Sequence, residues 1–244
     1  KSYINKILEN LDIDEEEVLE IGAGRGELTQ YILERAKFLY CVELDLRFFN
    51  LLKEKFKNFT NIKIIHSNIL ELSLSNFEKK LVIFGNIPYQ ISSSLIKYLV
   101  ENKDYIKRAY LTFQKEFAHR LLARPKDPFY GFLSCYIQYY ARVEKLFDIP
   151  KEAFYPSPKV NSSFLKLEFY EKLPYNVKDE DLLFKIIRKA FFQRRKKIIN
   201  SLFFKDIERV LSELNIDNSK RADDISLKEF VDITNELLKR DNII

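Results

Sequence analysis

Val18-Leu19-Glu20-Ile21-Gly22-Ala23-Gly24-Arg25-Gly26 is the stretch that decides the fold of this chain. Its first four residues form a short apolar run that reads as a buried strand, and they lead straight into three closely spaced glycines. From Glu27 to Leu33 the spacing becomes helical, with Leu28, Ile32 and Leu33 on one side. Strand, glycine-rich turn and helix in that order let the backbone approach a ligand closely at a helix N-terminus. A dinucleotide fingerprint wants glycine or alanine three residues beyond the second glycine. Here that position is Glu27, and the third glycine comes one residue early, at Gly26. The turn therefore fits NAD or FAD poorly, and a glycine turn without a ligand stays open on this motif alone.

The strands that follow end on polar residues. Phe38-Leu39-Tyr40-Cys41-Val42 ends at Glu43, where a carboxylate can accept hydrogen bonds from both ribose hydroxyls of a nucleoside. Ile62 to Ile65 gives a third strand, followed by His66-Ser67-Asn68-Ile69. Lys80-Leu81-Val82-Ile83-Phe84-Gly85 gives a fourth and runs into Asn86-Ile87-Pro88-Tyr89. In open α/β sheets this carboxyl edge is where ligands bind. The tetrapeptide offers a side-chain amide, carbonyls held by a proline, and an aromatic ring. Those groups suit an exocyclic amine on a flat heterocycle, because oxygens accept the amine protons while the ring stacks on the base. An ordinary Asn-x-Pro turn before a buried tyrosine is the competing reading of the tetrapeptide by itself. The ordered series Gly22/Gly24, Glu43, Asn68 and Asn86, one at each strand end, is far more specific than any member of it.

Leu19 to Gly26, then Glu43-Leu44-Asp45, then Asn86-Ile87-Pro88-Tyr89-Gln90-Ile91-Ser92-Ser93 resemble the rRNA adenine N6-dimethyltransferase family. The likeness continues through Gln114 to Leu121, through Ala153-Phe154-Tyr155-Pro156-Ser157-Pro158-Lys159-Val160-Asn161-Ser162-Ser163, and through Arg188 to Lys197. The later segments resemble the KsgA-type small-subunit rRNA enzymes more than their large-subunit Erm relatives. The resemblance implies an α/β fold, a Rossmann-like S-adenosylmethionine-dependent methyltransferase sheet with a small C-terminal all-helical domain. It implies N6,N6-dimethylation of two adjacent adenosines in small-subunit rRNA during ribosome biogenesis. The cofactor-binding set would be Gly22, Gly24, Gly26, Glu43, Leu44, Asn68, Ile69 and Asn86. The catalytic set would be Asn86, Pro88, Tyr89 and Phe154, with Tyr89 on one face of the extruded base and Phe154 on the other; core packing beside the prolines competes for Phe154.

Two departures stand out. Family members usually open with a Gln-x-Phe-like segment that helps close over the cofactor, and none precedes Lys1-Ser2-Tyr3 in this sequence. The family usually has aspartate where Asn68 stands, although an amide oxygen can still accept from the adenine amine. Three alternatives remain: an Erm-type large-subunit enzyme, a DNA adenine methyltransferase, and a non-catalytic RNA-binding or transcription-factor relative. The second would more often carry proline in place of Ile87, and the intact Asn86 to Tyr89 argues against the third.

Composition agrees with these expectations. At 244 residues, 46% hydrophobic and 32% charged, the chain can build one large domain and an appendage. No apolar stretch approaches a membrane span and no signal-peptide pattern opens the sequence, so no membrane contact and a cytoplasmic location are expected. A monomer is expected as well. Cys41 and Cys135 lack metal-like spacing and read as buried free thiols, suited to a reducing cytoplasm. His66 and His119 read as structural or surface groups, and no metal site is expected. The net charge of +5 is compatible with nucleic acid. Lys185, Arg188, Lys189, Arg194, Arg195, Lys196 and Lys197 fall in one helix-like stretch without an acid, while Asp179, Glu180 and Asp181 favour its N-terminus. A solvated basic face is one reading. With an adenine-directed site on the same chain, phosphate contact by Arg188, Lys189, Arg194, Arg195, Lys196 and Lys197 is preferred.

The chain divides at Leu173-Pro174-Tyr175-Asn176. Residues 1–172 are expected to form the S-adenosylmethionine-binding catalytic domain, and 173–244 a helical RNA-binding domain. Helices are expected over Leu182–Phe203, Ile207–Leu214 and Leu227–Leu238, and Pro125-Lys126-Asp127-Pro128 is expected to be a loop, either near the RNA or plain surface.

Overall fold

Runs of β-branched and aromatic residues broken by glycine, proline and polar turns become the strands of a single sheet in the computed structural model, which describes residues 2–202 and 204–240. Lys1, Phe203 and residues 241–244 lie outside that description, so the expected helix end at Phe203 falls there. In chain order the elements are α1 (Ser2–Glu9), β1 (Glu17–Ile21), α2 (Thr29–Leu33), β2 (Phe38–Glu43), α3 (Leu46–Lys55) and β3 (Ile62–His66). Then come β4 (Leu81–Asn86), α4 (Ser92–Glu101), β5 (Ile106–Gln114), α5 (Lys115–Leu122), α6 (Phe132–Tyr140), β6 (Ala141–Ile149) and β7 (Ser162–Phe169). The chain continues with α7 (Glu180–Phe192), α8 (Ile198–Ser201), α9 (Ile207–Glu213) and α10 (Leu227–Leu238).

The seven strands lie in the order β3-β2-β1-β4-β5-β7-β6. The pairs β1–β2, β2–β3, β1–β4 and β4–β5 are parallel, whereas β7 runs antiparallel to β5. From β1 the chain moves outward through β2 and β3, then returns to the other side of β1 as β4. That reversal opens a crevice between the carboxyl ends of β1 and β4, where α/β sheets bind ligands. Register aligns the expected site residues along this edge. Ile21 lies beside both Val42 and Gly85, Glu43 beside His66, and Asn86 beside Thr112. The inner strands are buried on both faces, which is why they read as continuous apolar runs.

Arg35 fastens helix α1 to the sheet domain. Its guanidinium donates to the Leu8 and Leu11 carbonyls at 2.7 and 2.9 Å and pairs with Asp14 at 2.7 Å. Those contacts tie the end of α1 and the turn after it to a single side chain.

Contacts divide the chain into two compact units. One holds the residues up to Ala118 together with Arg142–Phe169; the other holds His119–Ala141 together with the residues from Tyr170 onward. The single cut expected at 172/173 therefore gives way to a discontinuous second unit. The reason is packing. Tyr130, Cys135 and Tyr139 share one buried core with Leu183, Ile187 and Phe230, and the Tyr139 and Tyr140 hydroxyls donate to Glu180 at 3.3 and 2.7 Å. Asp179 caps α7 by accepting from the Leu182 amide at 2.8 Å, as the acidic cluster suggested. Ser226 and Glu229 form a reciprocal capping box at the start of α10. Among the described residues no helix is long and apolar enough to cross a membrane.

Gly85 sets the spacing of the crevice. A Cβ there would lie 3.0 Å from the Ile21 carbonyl oxygen and 3.0 Å from the Ile87 side chain. Gly85→Ala should wedge β4 from β1 and cost about 1–3 kcal/mol, the range for overpacking a filled interior. Denaturant unfolding should report a lower midpoint with an unchanged slope; an unaltered midpoint would show that the two strands can part freely.

Candidate active site

The site is built from backbone first. Gly22, Gly24 and Gly26 all take positive φ, at 69°, 56° and 72°, a conformation that side chains resist. A Cβ on Gly22 or Gly24 would meet nothing within 4 Å, so the turn faces open space there. Gly26 is different: its Cβ would sit 2.8 Å from Phe56 and 2.9 Å from Leu52, so α3 closes directly on it. The Gly22 amide donates to the Val42 carbonyl at 2.9 Å, carrying the β1–β2 pairing into the turn.

Glu43 holds the neighbouring loops. It is 7% exposed; one carboxylate oxygen accepts from the Gly24 amide at 3.0 Å and the other from the Asp45 amide at 2.9 Å. Each oxygen keeps a further lone pair. Asp45 in turn caps α3 by accepting from the Arg47 amide at 2.8 Å. Asn68 is a cap as well, accepting from the Leu70 amide at 3.1 Å and donating to Glu71 at 2.9 Å.

Above the glycine turn lies a cavity of about 350 Å³, walled by the turn, Glu20, Leu28, Phe48 and Phe84, with Tyr3, Ile4 and Ile7 of α1 on one side. A second, more open cleft of about 320 Å³ is lined by Asn86 to Gln90 and Pro158. Asn86, Phe154, Tyr155 and Pro156 line both, so these four residues form the partition between them. Phe154 is half-buried and packs against the strand core, while it also lines both cavities. The Pro88 carbonyl accepts from the Ile91 amide at 3.1 Å, which closes a tight turn and fixes the tetrapeptide.

Of the expected site residues, Gly22, Gly24, Asn86 and Phe154 line the inner cavity, and Asn86, Pro88, Tyr89 and Phe154 line the outer cleft. Gly26 packs behind the turn. Glu43, Leu44, Asn68 and Ile69 lie at the ends of β2 and β3, farther along the same edge and outside the cavity lining. Glu20, Phe48, Thr112 and Tyr155 do line it and had no role in the sequence reading. For Glu20 a signal existed: it is a lone carboxylate inside an apolar strand. It is 3% exposed, accepts from the Thr29 hydroxyl at 2.7 Å and from the Cys41 thiol at 3.5 Å, and burial pushes its carboxyl up to about 7. Burial and the adjacent Glu20 raise the Cys41 thiol well above its ordinary range.

The basic stretch needs a correction. Helix α7 ends at Phe192, and Arg194, Arg195, Lys196 and Lys197 form a turn before α8 rather than more of the helix. No proline or glycine marks this stop. Tertiary pairing imposes it: the Ile198 amide donates to the Lys220 carbonyl at 2.6 Å, and Lys197 pairs with Arg221 as an isolated bridge. Arg194 is half-buried, 3.3 Å from Asp223, and donates to the Asp127 carbonyl at 3.5 Å. The loop Pro125 to Pro128 is tied to the same place, since the Lys126 amide donates to the Asp223 carbonyl at 2.8 Å. Arg195, Lys196 and Lys197 are exposed, while Arg188 lies over the Phe132 ring and Lys189 over Phe204, at 4.9 and 4.6 Å.

His66 shares a hydrogen bond of 3.0 Å with the Leu44 carbonyl, and His119 meets the Phe129 ring edge-on at 5.3 Å. Among the described residues no group of three or more His, Cys, Asp or Glu is arranged to hold a metal ion.

Comparison with known proteins adds a family. A model described as Ribosomal RNA adenine dimethylase matches residues 1–239. A Ribosomal RNA small subunit methyltransferase A from Fusobacterium nucleatum is 38% identical over 238 residues, covering 94% of this chain and 90% of that protein. One of the same name from Desulforapulum autotrophicum is 37% identical, covering 92% and 83%. Among solved structures, a dimethyladenosine transferase from Plasmodium falciparum superposes with a TM-score of 0.85 at 27% identity, covering 99% of this chain and 97% of that one. The 23S rRNA methyltransferase ErmE shares the fold, with a TM-score of 0.77 at 22% identity and 97% coverage of both chains.

Glu20 makes stability depend on pH. The unfolded carboxyl ionises near 4.5 and the folded one near 7, so between those values the folded chain keeps a proton that the unfolded chain has lost. The stability from this group is complete below about 4.5 and disappears as pH rises through about 7. Relative to Glu20→Gln, the unmodified protein should lose about 2–4 kcal/mol of unfolding free energy across that interval. Urea titrations at half-unit pH steps measure the difference, and parallel curves for the two proteins would mean that Glu20 ionises normally in the fold.

Proposed function

The chain belongs to the ribosomal RNA adenine dimethylase family, and on that premise we propose how its residues divide the work of S-adenosylmethionine-dependent N6,N6-dimethylation of rRNA adenosines. The observation that carries the proposal is the partition. A cavity over the glycine turn and a more open, aromatic-lined cleft share Asn86 and Phe154 as a common wall. Two ligands that must exchange one methyl group need two such chambers with a window between them.

The inner cavity suits S-adenosylmethionine in size and chemistry. Gly22 and Gly24 leave the turn open for close backbone approach, and Gly26 keeps α3 pressed behind it. Farther along the edge, beyond the cavity lining, Glu43 and Asn68 take the nucleoside end of the cofactor in this proposal. Glu43 has acceptor capacity left for ribose hydroxyls, and the Asn68 oxygen has a lone pair left for an adenine amine, with Leu44 and Ile69 as apolar neighbours. When bound, the cofactor supplies an electrophilic methyl group that carries its own leaving group, so no protein nucleophile is required.

In the outer cleft, Asn86 and a carbonyl near Pro88 accept hydrogen bonds from the N6 amine of the target adenine. That helps localise on nitrogen a lone pair otherwise delocalised into the ring. Tyr89 stacks on one face of the extruded base and Phe154 on the other. Alignment is the main contribution, because a fixed geometry replaces a bimolecular encounter. The second unit binds rRNA: Arg188, Lys189, Arg195, Lys196 and Lys197 meet phosphates, while Arg194 holds the turn against Asp223 and adds charge beside it. In this reading the catalytic domain is residues 1–172 without the 119–141 insertion, and the RNA-binding domain is 173–244 with it. The names of the curated relatives support small-subunit rRNA as the substrate. Within that proposal the target is two adjacent adenosines in the small subunit or its precursor. A cytoplasmic monomer is the form proposed to act.

Labelled methyl transfer to undermethylated small subunits, with large-subunit rRNA as the comparison, tests the assignment. Transfer confined to large-subunit rRNA would overturn it. Within the site, Asn86→Ala should lower the single-turnover rate by about 10²–10³-fold, as loss of one transition-state hydrogen-bond partner does elsewhere, with RNA affinity nearly intact. Tyr89→Phe should be mild and Tyr89→Ala severe. Equal damage from the two would remove the stacking role.

A further inference from the structure

We infer that Phe192 is a stacking platform for an unpaired base of the rRNA substrate, set in a basic groove along α7; this rests on the reading of the second unit as RNA-binding. Two adjacent phenylalanines close α7, and they point different ways. Phe191 turns inward, meeting Tyr130 at 5.6 Å and Phe230 at 6.1 Å, whereas Phe192 is 88% exposed. One exposed apolar residue is ordinary by itself. Its surroundings are not. Phe192 forms one end of a groove of about 490 Å³ that also holds Phe184, Lys185, Arg188 and Lys189, with Asp181 as its acid. Lys185, Arg188 and Lys189 precede Phe192 by seven, four and three residues, so helical spacing puts them on the same face. Arg195, Lys196 and Lys197 follow on the turn and are exposed.

An aromatic face between cations on both sides complements one kind of partner closely: a nucleotide, which presents a flat π-surface joined to a phosphate. Single-stranded nucleic acid is commonly bound by such pairs of groups, the ring gripping the base while lysine and arginine track the backbone. Arg188 is already oriented, since its guanidinium lies over Phe132 and keeps its N–H edges for a phosphate. A protein partner would instead present an apolar pocket, and that is the rival outcome.

The test separates stacking from charge. Binding of the intact protein to unmethylated, protein-free small-subunit rRNA is measured at several salt concentrations, alongside binding to intact undermethylated subunits. Phe192→Ala should weaken binding to both by at least about fivefold, the lower end of losses for one stacked base, while leaving the slope of affinity against salt unchanged. Phe192→Trp should restore affinity and Phe192→Leu should not, because leucine keeps the apolar surface and loses the π-face. The double variant Arg195→Gln/Lys196→Gln should flatten the salt slope, which checks the underlying RNA-binding reading separately. If Phe192→Ala binds normally while the slope still flattens, the stacking proposal falls and the parent reading stands. If neither variant changes binding, both fall. Full rescue by leucine, or a loss seen with intact subunits alone, would point to a protein pocket and overturn the proposal.

Discussion

One buried carboxylate keeps two loops of the sheet's carboxyl edge in register. Glu43 spends one oxygen on the Gly24 amide and the other on the Asp45 amide, so the turn after β1 and the start of α3 are fixed to the same group. Charge-assisted bonds of this kind contribute about 1.5–3 kcal/mol each, enough to oppose the cost of burying the charge. Helix α3 completes the circuit. Leu52 and Phe56 close on Gly26, and Lys55 donates to the Arg25 and Gly26 carbonyls at 3.1 and 2.9 Å. The glycine turn is thus held from the front by a carboxylate and from behind by a helix. Its open inner side is a product of that enclosure, not of looseness in a glycine-rich segment.

Much of this is legible in the amino-acid sequence itself. Strand runs, the glycine turn, Glu43 and Asn86 declare themselves because their signals are local: an apolar period, a turn residue, a polar group at a strand end. The sheet order follows from the parallel connections and brings these local signals to one edge. What escaped was set by tertiary contact. Nothing near Phe192 in the sequence announces a helix end, since the Lys220 carbonyl that captures the Ile198 amide lies more than twenty residues away. His119–Ala141 looks like part of an alternating α/β pattern, yet its tyrosines belong with Glu180 and α7. Glu20 was hidden in plain sight, counted as one letter of an apolar strand although it was the letter that did not fit.

Asn68 illustrates how a departure from a family's usual residue can be absorbed. Its oxygen caps a short turn, as an aspartate would, but its amide group donates to Glu71 at 2.9 Å. An aspartate would bring two carboxylates to that separation, which is unfavourable for both to ionise. Asparagine and Glu71 are a matched pair, so position 68 cannot be judged apart from position 71. Phe154 makes a related point where the two cavities meet, because a ring that is partly core is held rigidly enough to act as a wall.

The pairing of Cys41 with Glu20 bears on a hazard that any alkylating enzyme faces, that of modifying itself. A sulfur nucleophile one hydrogen bond from the wall of a chamber suited to a methyl sulfonium would be an easy target as a thiolate. Here the thiol is fully buried, its proton is directed onto the Glu20 carboxylate at 3.5 Å, and its ionisation is displaced far above neutral pH. The same burial that lifts Glu20 thus keeps the cysteine chemically silent, so that in the proposed reaction the base amine has no rival acceptor in this thiol.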